Sequence, residues 1–116
     1  MTASGDFTRV LRGAGGARSA TRLLVVHARM TDADADRPAR VGFVASSALG
    51  GAVVRNRVKR RLRAAVARRI DAVPAGVDLV VRANSAAAAA SFGDLDADVE
   101  RCLTTAIDRL RSRVGG

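Results

Sequence analysis

The spacing of apolar and polar positions divides the chain into short helices and strands. Residues 7–11 carry apolar side chains at helical spacing, and the glycine-rich residues 13–16 end this short helix. Residues 22–30 contain the apolar run Leu-Leu-Val-Val, which predicts a buried strand. Residues 40–46 predict a second strand, and we expect it to pair with the first as a hairpin.

The second half of the chain predicts a helix, a strand and a last helix. Residues 53–70 have helical periodicity, and Pro74 and Gly76 then indicate a turn before a third strand at 78–82. If this strand lies parallel to residues 40–46, the helix between them is a crossover connection. Residues 84–90 are rich in alanine and fit either a loop or the start of a helix.

Ser91 is a candidate cap for a last helix that reaches about Arg113. One stripe of this helix is apolar and predicts a buried face. It consists of Leu95, Val99, Cys102, Leu103, Ala106, Ile107 and Leu110.

The helix predicted at 53–70 separates an apolar face from a basic one. At about 100° per residue with Arg55 at zero, the apolar side chains fall in an arc from about 280° through zero to about 20°. These are Val58, Leu62, Ala65 and Val66, with Ile70 nearby. The basic face, from about 40° to 200°, holds Lys59, Arg63, Asn56, Arg60 and Arg57. Since no acidic residue is interleaved, an ordinary solvated face is the weaker interpretation.

Charge and length narrow the function. The 116 residues form a single predicted domain, with residues 1–5 and 112–116 expected to be disordered. The net charge of +9 and the cluster of six cations between Arg55 and Arg63 favour a polyphosphate partner, a nucleic acid. A GC-rich genome accounts for the general preference for arginine, but not for this clustering.

The remaining residues offer little catalytic chemistry. Cys102 is the only cysteine, no secretory signal or membrane-spanning run is visible, and we expect a cytoplasmic protein. His27 has no second histidine with which to bind a metal, and Ser46 and Ser47 have no base partner. We therefore expect no catalytic residue and no metal or cofactor bound by the protein alone.

The run Gly50–Arg63, GGAVVRNRVKRRLR, resembles the signature of bacterial ribonuclease P protein components. That signature is a glycine and Ala-Val, then Arg-Asn-Arg, one residue, Lys-Arg, two residues and Arg. Asp6-Phe7 is similar to the family's short first helix. Residues 40–46 are similar to its Arg-Val-Gly strand, and residues 78–82 to its last strand. The likeness covers about residues 6–110.

The resemblance implies an α/β (α+β) fold with a small four-stranded sheet, flanking helices and a left-handed crossover through the basic helix. It implies a protein subunit that binds a catalytic RNA and the 5′ leader of precursor tRNA, and assists removal of that leader. The RNA performs the hydrolysis with Mg²⁺, and we expect one protein monomer for each RNA, with no membrane partner. The implied RNA-binding residues are Arg55, Asn56, Arg57, Lys59, Arg60 and Arg63.

The implied leader contacts are Phe7, Leu11, Val26 and Arg82. Here the chain departs from the family in four places. The family often has a second aromatic residue at the position of Leu11 and an aromatic residue near Val26 or His27. It also has two lysines at the positions of Ser47 and Ala48, and a basic stretch before Phe7. We therefore expect a leader contact with little aromatic stacking. A ribosomal-type RNA-binding or DNA-binding module is the alternative interpretation, although DNA readers of that kind usually pair such a helix with a second one or with a dimer partner.

Overall fold

The structure, a computed structural model, describes residues 16–30 and 38–115. Within these residues four strands form one sheet in the order β1-β2-β4-β3. The strands are β1 (Ala17–Ala20), β2 (Leu24–Met30), β3 (Arg40–Ala45) and β4 (Val77–Ala83). β4 lies in the interior of the sheet because its apolar residues are buried on both faces, as expected for a central strand. The predicted helix at residues 7–11 lies outside the described residues.

The predicted hairpin between residues 22–30 and residues 40–46, which form β2 and β3, is wrong. β4 separates them: β2 pairs with β4 in antiparallel orientation, and β3 pairs with β4 in parallel. The neighbour of β2 on its other side is β1, whose residues were predicted to be in neither a helix nor a strand. The physical reason is the apolar sequence of β4, which requires a strand on each side of it.

The basic helix α1 (Ala52–Ala67) connects two parallel strands, as the crossover hypothesis predicted. Short 3₁₀ turns at Ser47–Leu49 and Ile70–Ala72 flank it. The handedness of this connection stays a prediction.

The last helix, α2 (Phe92–Gly115), confirms the predicted cap and apolar stripe. Ser91 Oγ accepts a hydrogen bond from the backbone N–H of Asp94 at 3.1 Å. Every member of the predicted stripe, from Leu95 to Leu110, is buried. The helix continues to Gly115, beyond its predicted end near Arg113, and the disorder expected at residues 112–116 stays a prediction. Arginine is a good helix former, and its positive charge is favourable near a helix C-terminus.

The two helices pack against the same face of the sheet and enclose one apolar core. Ion pairs tie them together at the end of α1. Arg69 donates through Nη1 and Nη2 to the two carboxylate oxygens of Asp96 at 2.7 and 3.0 Å. This hydrogen bond keeps the pKa of Asp96 below its usual range. Among the described residues no helix is both long and apolar enough to cross a membrane.

Candidate nucleic-acid interface

Two glycines set the start of the basic helix. Gly50 has φ = 132°, a conformation that favours glycine over any residue with a Cβ atom. Gly51 is the N-cap residue and offers no side chain to the first turn, and a Cβ atom added there would meet nothing within 4 Å. The first turn of α1 also contains no acidic residue. The positive end of the helix dipole is therefore left without an acidic side chain in the first turn.

The apolar face of α1 agrees with the helical projection. Val58, Leu62 and Ala65 have no exposed surface, and Val66 is 3% exposed. Ile70 packs at the edge of the same core. Because this face is fixed on the sheet and on α2, the opposite face of the helix is turned towards solvent.

Three of the predicted RNA-binding side chains, Asn56, Arg60 and Arg63, are exposed on that opposite face. The guanidinium carbon of Arg63 lies 5.8 Å from the ring centroid of Phe43, a cation–π contact that links the helix to β3. The exposed positions of α1 fall between about 60° and 180° in the projection, so these groups share one stripe.

The other three predicted residues, Arg55, Arg57 and Lys59, are half-buried. Arg57 Nη2 donates to the carbonyl oxygen of Ala88 at 3.4 Å. Within the described part of the chain, the Nε atoms of Arg55 and Arg57 are buried and have no hydrogen-bond partner. In the projection Arg57, at about 200°, lies beside the exposed stripe and is partly engaged within the protein, whereas Arg55, at zero, lies on the side of the apolar arc.

Arg61 has a structural contact that the sequence analysis missed. Its Nη1 donates to the carbonyl oxygen of Ala90 at 3.0 Å. Together with Arg57 it holds the end of the alanine-rich segment, a 3₁₀ turn at Ser85–Ala89, against the basic helix. No sequence pattern would have shown which carbonyl groups point at the helix.

A second basic surface lies on the face of the sheet away from the helices. Arg82 is exposed there, since it alternates with the buried Val81 and Ala83 along β4. The strand register pairs Arg18 with His27 and Arg82 with Val25, so the two arginines flank the histidine. Burial, and then the charges of Arg18 and Arg82, lower the pKa of His27. The imidazole is therefore neutral at neutral pH and accepts or donates hydrogen bonds without adding charge.

The predicted leader contacts are divided by the structure. Arg82 lies on this second face of the sheet, whereas Phe7 and Leu11 lie outside the described residues. The assignment of Val26 is wrong: its side chain has no exposed surface and belongs to the core between sheet and helices. The physical reason is strand alternation, which places Val26 on the face that packs on the helices and its neighbours Val25 and His27 on the opposite face.

Acid–base and metal chemistry are sparse in this part of the molecule. Among the described residues no three His, Cys, Asp or Glu side chains are grouped so as to hold a metal ion. Cys102 is buried, and burial raises the pKa of its thiol. The arrangement is suited to binding a polyanion on two surfaces, the exposed stripe of α1 and the exposed arginines Arg18 and Arg82 of the sheet.

Comparison with known proteins agrees with this arrangement. The family model for ribonuclease P matches residues 1–107. The chain belongs to this family. The ribonuclease P protein component of Acidothermus cellulolyticus is 50% identical over 101 residues, which cover 86% of this chain and 81% of that protein. That of Beutenbergia cavernae is 50% identical over 105 residues, covering 90% and 85%.

Solved structures of ribonuclease P proteins have the same fold. The RNase P protein of Staphylococcus aureus superposes with a TM-score of 0.79 at 27% identity, over 91% of this chain and 93% of that one. The RNase P protein of Thermotoga maritima, at 23% identity and a TM-score of 0.72, shares the fold. The α+β class and the four-stranded sheet that the resemblance implied are thereby confirmed.

Proposed function

We propose that this chain is the protein subunit of ribonuclease P and assists the removal of the 5′ leader from precursor tRNA. The observation that carries the proposal is the exposed basic stripe of α1, which lies within the region matched to the ribonuclease P family. Asn56, Arg60 and Arg63 bind the catalytic RNA from the centre of that stripe, and Arg57 and Lys59 bind it from the margins. Arg55 remains a proposed contact near the start of the helix. Arginine suits this role because its planar fork pairs two phosphate oxygens.

The side chains of the protein determine what it contributes to the assembly and what it leaves to the RNA. The described residues bind and orient RNA, while hydrolysis belongs to the RNA and the Mg²⁺ that the RNA holds. Positive charge on the protein lowers the repulsion between the two RNA molecules and thus the concentration of Mg²⁺ that the assembly requires. We place one protein monomer on each catalytic RNA, in the cytoplasm.

We expect the protein alone to leave precursor tRNA intact, and to stimulate its cleavage when the catalytic RNA is added at a low Mg²⁺ concentration. The measurement is 5′-leader release from labelled precursor tRNA with protein, with RNA, and with both. Nuclease treatment of the protein before the assay removes contaminating RNA. Accurate cleavage by the treated protein alone would contradict the assignment, and so would a rate with both components equal to that of RNA alone.

The exposed part of the sheet face away from the helices is proposed as the leader-binding surface, with Arg82 as its main cation. Arg18 and His27 adjoin it through the strand register. Phe7 and Leu11 remain proposed members of the same surface, with Phe7 supplying base stacking. A strand of single-stranded RNA fits a surface that combines cations with groups able to donate and accept hydrogen bonds.

Arg82→Ala is expected to reduce the preference of the assembled enzyme for precursor over mature tRNA by about threefold to tenfold, the effect of losing one phosphate contact of roughly 1 kcal/mol. Its affinity for the catalytic RNA alone should not change. The measurement compares dissociation constants of both tRNAs for the reconstituted enzymes. Arg101→Ala, an exposed arginine of α2, is the control. An equal preference in the Arg82 variant and the wild type would remove Arg82 from the leader surface.

A further inference from the structure

Val53 is the exception to the burial pattern of the protein. Among the side chains that the structure describes it is the one large apolar group that is exposed, with 79% of its surface accessible. It lies in the first turn of α1, directly after the two glycines. Isolated exposed apolar residues are common on protein surfaces, so its position must decide whether it has a role.

That position is inside the exposed basic stripe. Val53 falls at about 160° in the helical projection, between Arg60 at about 140° and Ala64 at about 180°. Asn56 and Arg57 follow it by three and four residues, so their Cβ atoms lie about 5–6 Å from that of Val53. The isopropyl group is therefore surrounded by the groups proposed to bind RNA.

The fold itself gains nothing from valine at this site. An exposed side chain contributes no burial, and a β-branched residue is less favourable in a helix than alanine. Its side chain is accessible to a flat group, since 79% of its surface is exposed.

We propose that Val53 and Asn56 together bind one unpaired adenine of the partner RNA, while the neighbouring arginines bind the phosphates on either side of it. This inference rests on the proposed function. An isopropyl group has no means of pairing with a phosphate but packs on the face of a base, as apolar side chains do with bases taken out of a stack. The amide of asparagine donates to N7 and accepts from the N6 amino group of adenine. A protein partner is disfavoured because one apolar side chain among cations does not make the apolar centre of a protein interface.

The test is the salt dependence of binding to the catalytic RNA. For Val53→Ala we expect an affinity about threefold to tenfold lower at every salt concentration, from the lost contact of two methyl groups. The slope of log affinity against log salt should stay at the wild-type value, because no counterion-releasing contact has been removed. The denaturation midpoint should be unchanged or slightly higher. Val53→Ile, which keeps the apolar contact, should bind like the wild type.

The variant Arg60→Ala distinguishes failure of the base contact from failure of the proposed function. If it lowers the slope while Val53→Ala leaves the affinity unchanged, the base contact is overturned and the proposed function stands. If neither variant alters binding, the assignment of the helix itself fails. A fall in affinity of Val53→Ala matched by a lower denaturation midpoint would make Val53 a structural residue and would also overturn the inference.

Chemical probing identifies the base. Diethyl pyrocarbonate modifies N7 of accessible adenines, and saturating wild-type protein should protect one unpaired adenine of the catalytic RNA. That adenine should become reactive again in saturated complexes of Val53→Ala and of Asn56→Ala, and remain protected with Arg60→Ala. If no adenine responds to both substitutions, Val53 and Asn56 do not share a base.

Discussion

Leu62→Ala is expected to lower the free energy of unfolding by about 2–5 kcal/mol, the range for truncating a core leucine. Leu62 has no exposed surface and lies in the core that α1 shares with the sheet and α2. A domain of this size is typically stable by about 5–15 kcal/mol, so the loss is a large fraction of the total. Urea denaturation followed by circular dichroism measures it.

Val53→Ala is the matched control, since it truncates another aliphatic side chain of the same helix at a site that is 79% exposed. We expect it to alter stability by no more than about 0.5 kcal/mol. Arg61→Ala should fall between the two, at about 1–2 kcal/mol, because it removes a charged donor from the carbonyl of Ala90. If Leu62→Ala costs less than Arg61→Ala, the buried face of α1 is misassigned.

The helices of this protein could be predicted because each has one unambiguous apolar stripe. Val58 and Leu62 in α1, and Leu95 to Leu110 in α2, repeat at a spacing that fits only a helix with one covered face. The charged face of α1 followed from the same projection. For α1 the stripe thus indicated both the core and the surface that is available to a partner.

The order of the strands could not be predicted in the same way. Apolar content identifies a strand but not the strand with which it pairs. Residues 22–30 and 40–46 contain consecutive strands of the chain, yet these strands do not pair in the sheet. The available signal was the run Leu79, Val80 and Val81, whose burial on both faces marks an interior strand. β1 gave no signal, because Ala-Arg-Ser-Ala contains no large apolar residue.

The same limit explains the errors at the candidate site. Leu23 to Val26 is a continuous apolar run, so the sequence does not say which of its side chains faces the helices. Val26 was therefore placed on the wrong face. The contacts of Arg57 and Arg61 depend on carbonyl groups about thirty residues further along the chain, whose directions only the folded backbone defines. The exposure of Val53 is different: its angle of about 160° could be read from the helical projection, but a single apolar residue on a basic face forms no pattern that predicts a role.

The double substitution Arg60→Ala with Arg63→Ala is expected to have the largest effect on RNA binding. Both guanidinium groups are exposed on the stripe of α1, so both can displace counterions from RNA phosphates. Arg63 also contacts the ring of Phe43, and the denaturation midpoint of the double variant reports what loss of that contact does to the fold. The slope of log affinity against log salt should fall by about 1.4–1.8, from about 0.7–0.9 for each phosphate contact. Affinity at moderate salt should fall by about tenfold or more. Arg57 is left in place because its bond to the carbonyl of Ala88 would mix folding with binding.

The matched control is Arg101→Ala with Arg111→Ala, which removes the same charge from exposed positions on α2. If net charge alone attracted the RNA, the two double variants would lose affinity and slope equally, since each lowers the charge of +9 by two. Local contact predicts that only the α1 pair reduces the slope. Equal losses in both variants would show that the basic stripe is a general electrostatic surface, and binding would then have to be located elsewhere on the protein. If the α1 double variant shows the whole expected fall in slope and affinity while its denaturation midpoint is unchanged, the RNA phosphates bind on this stripe.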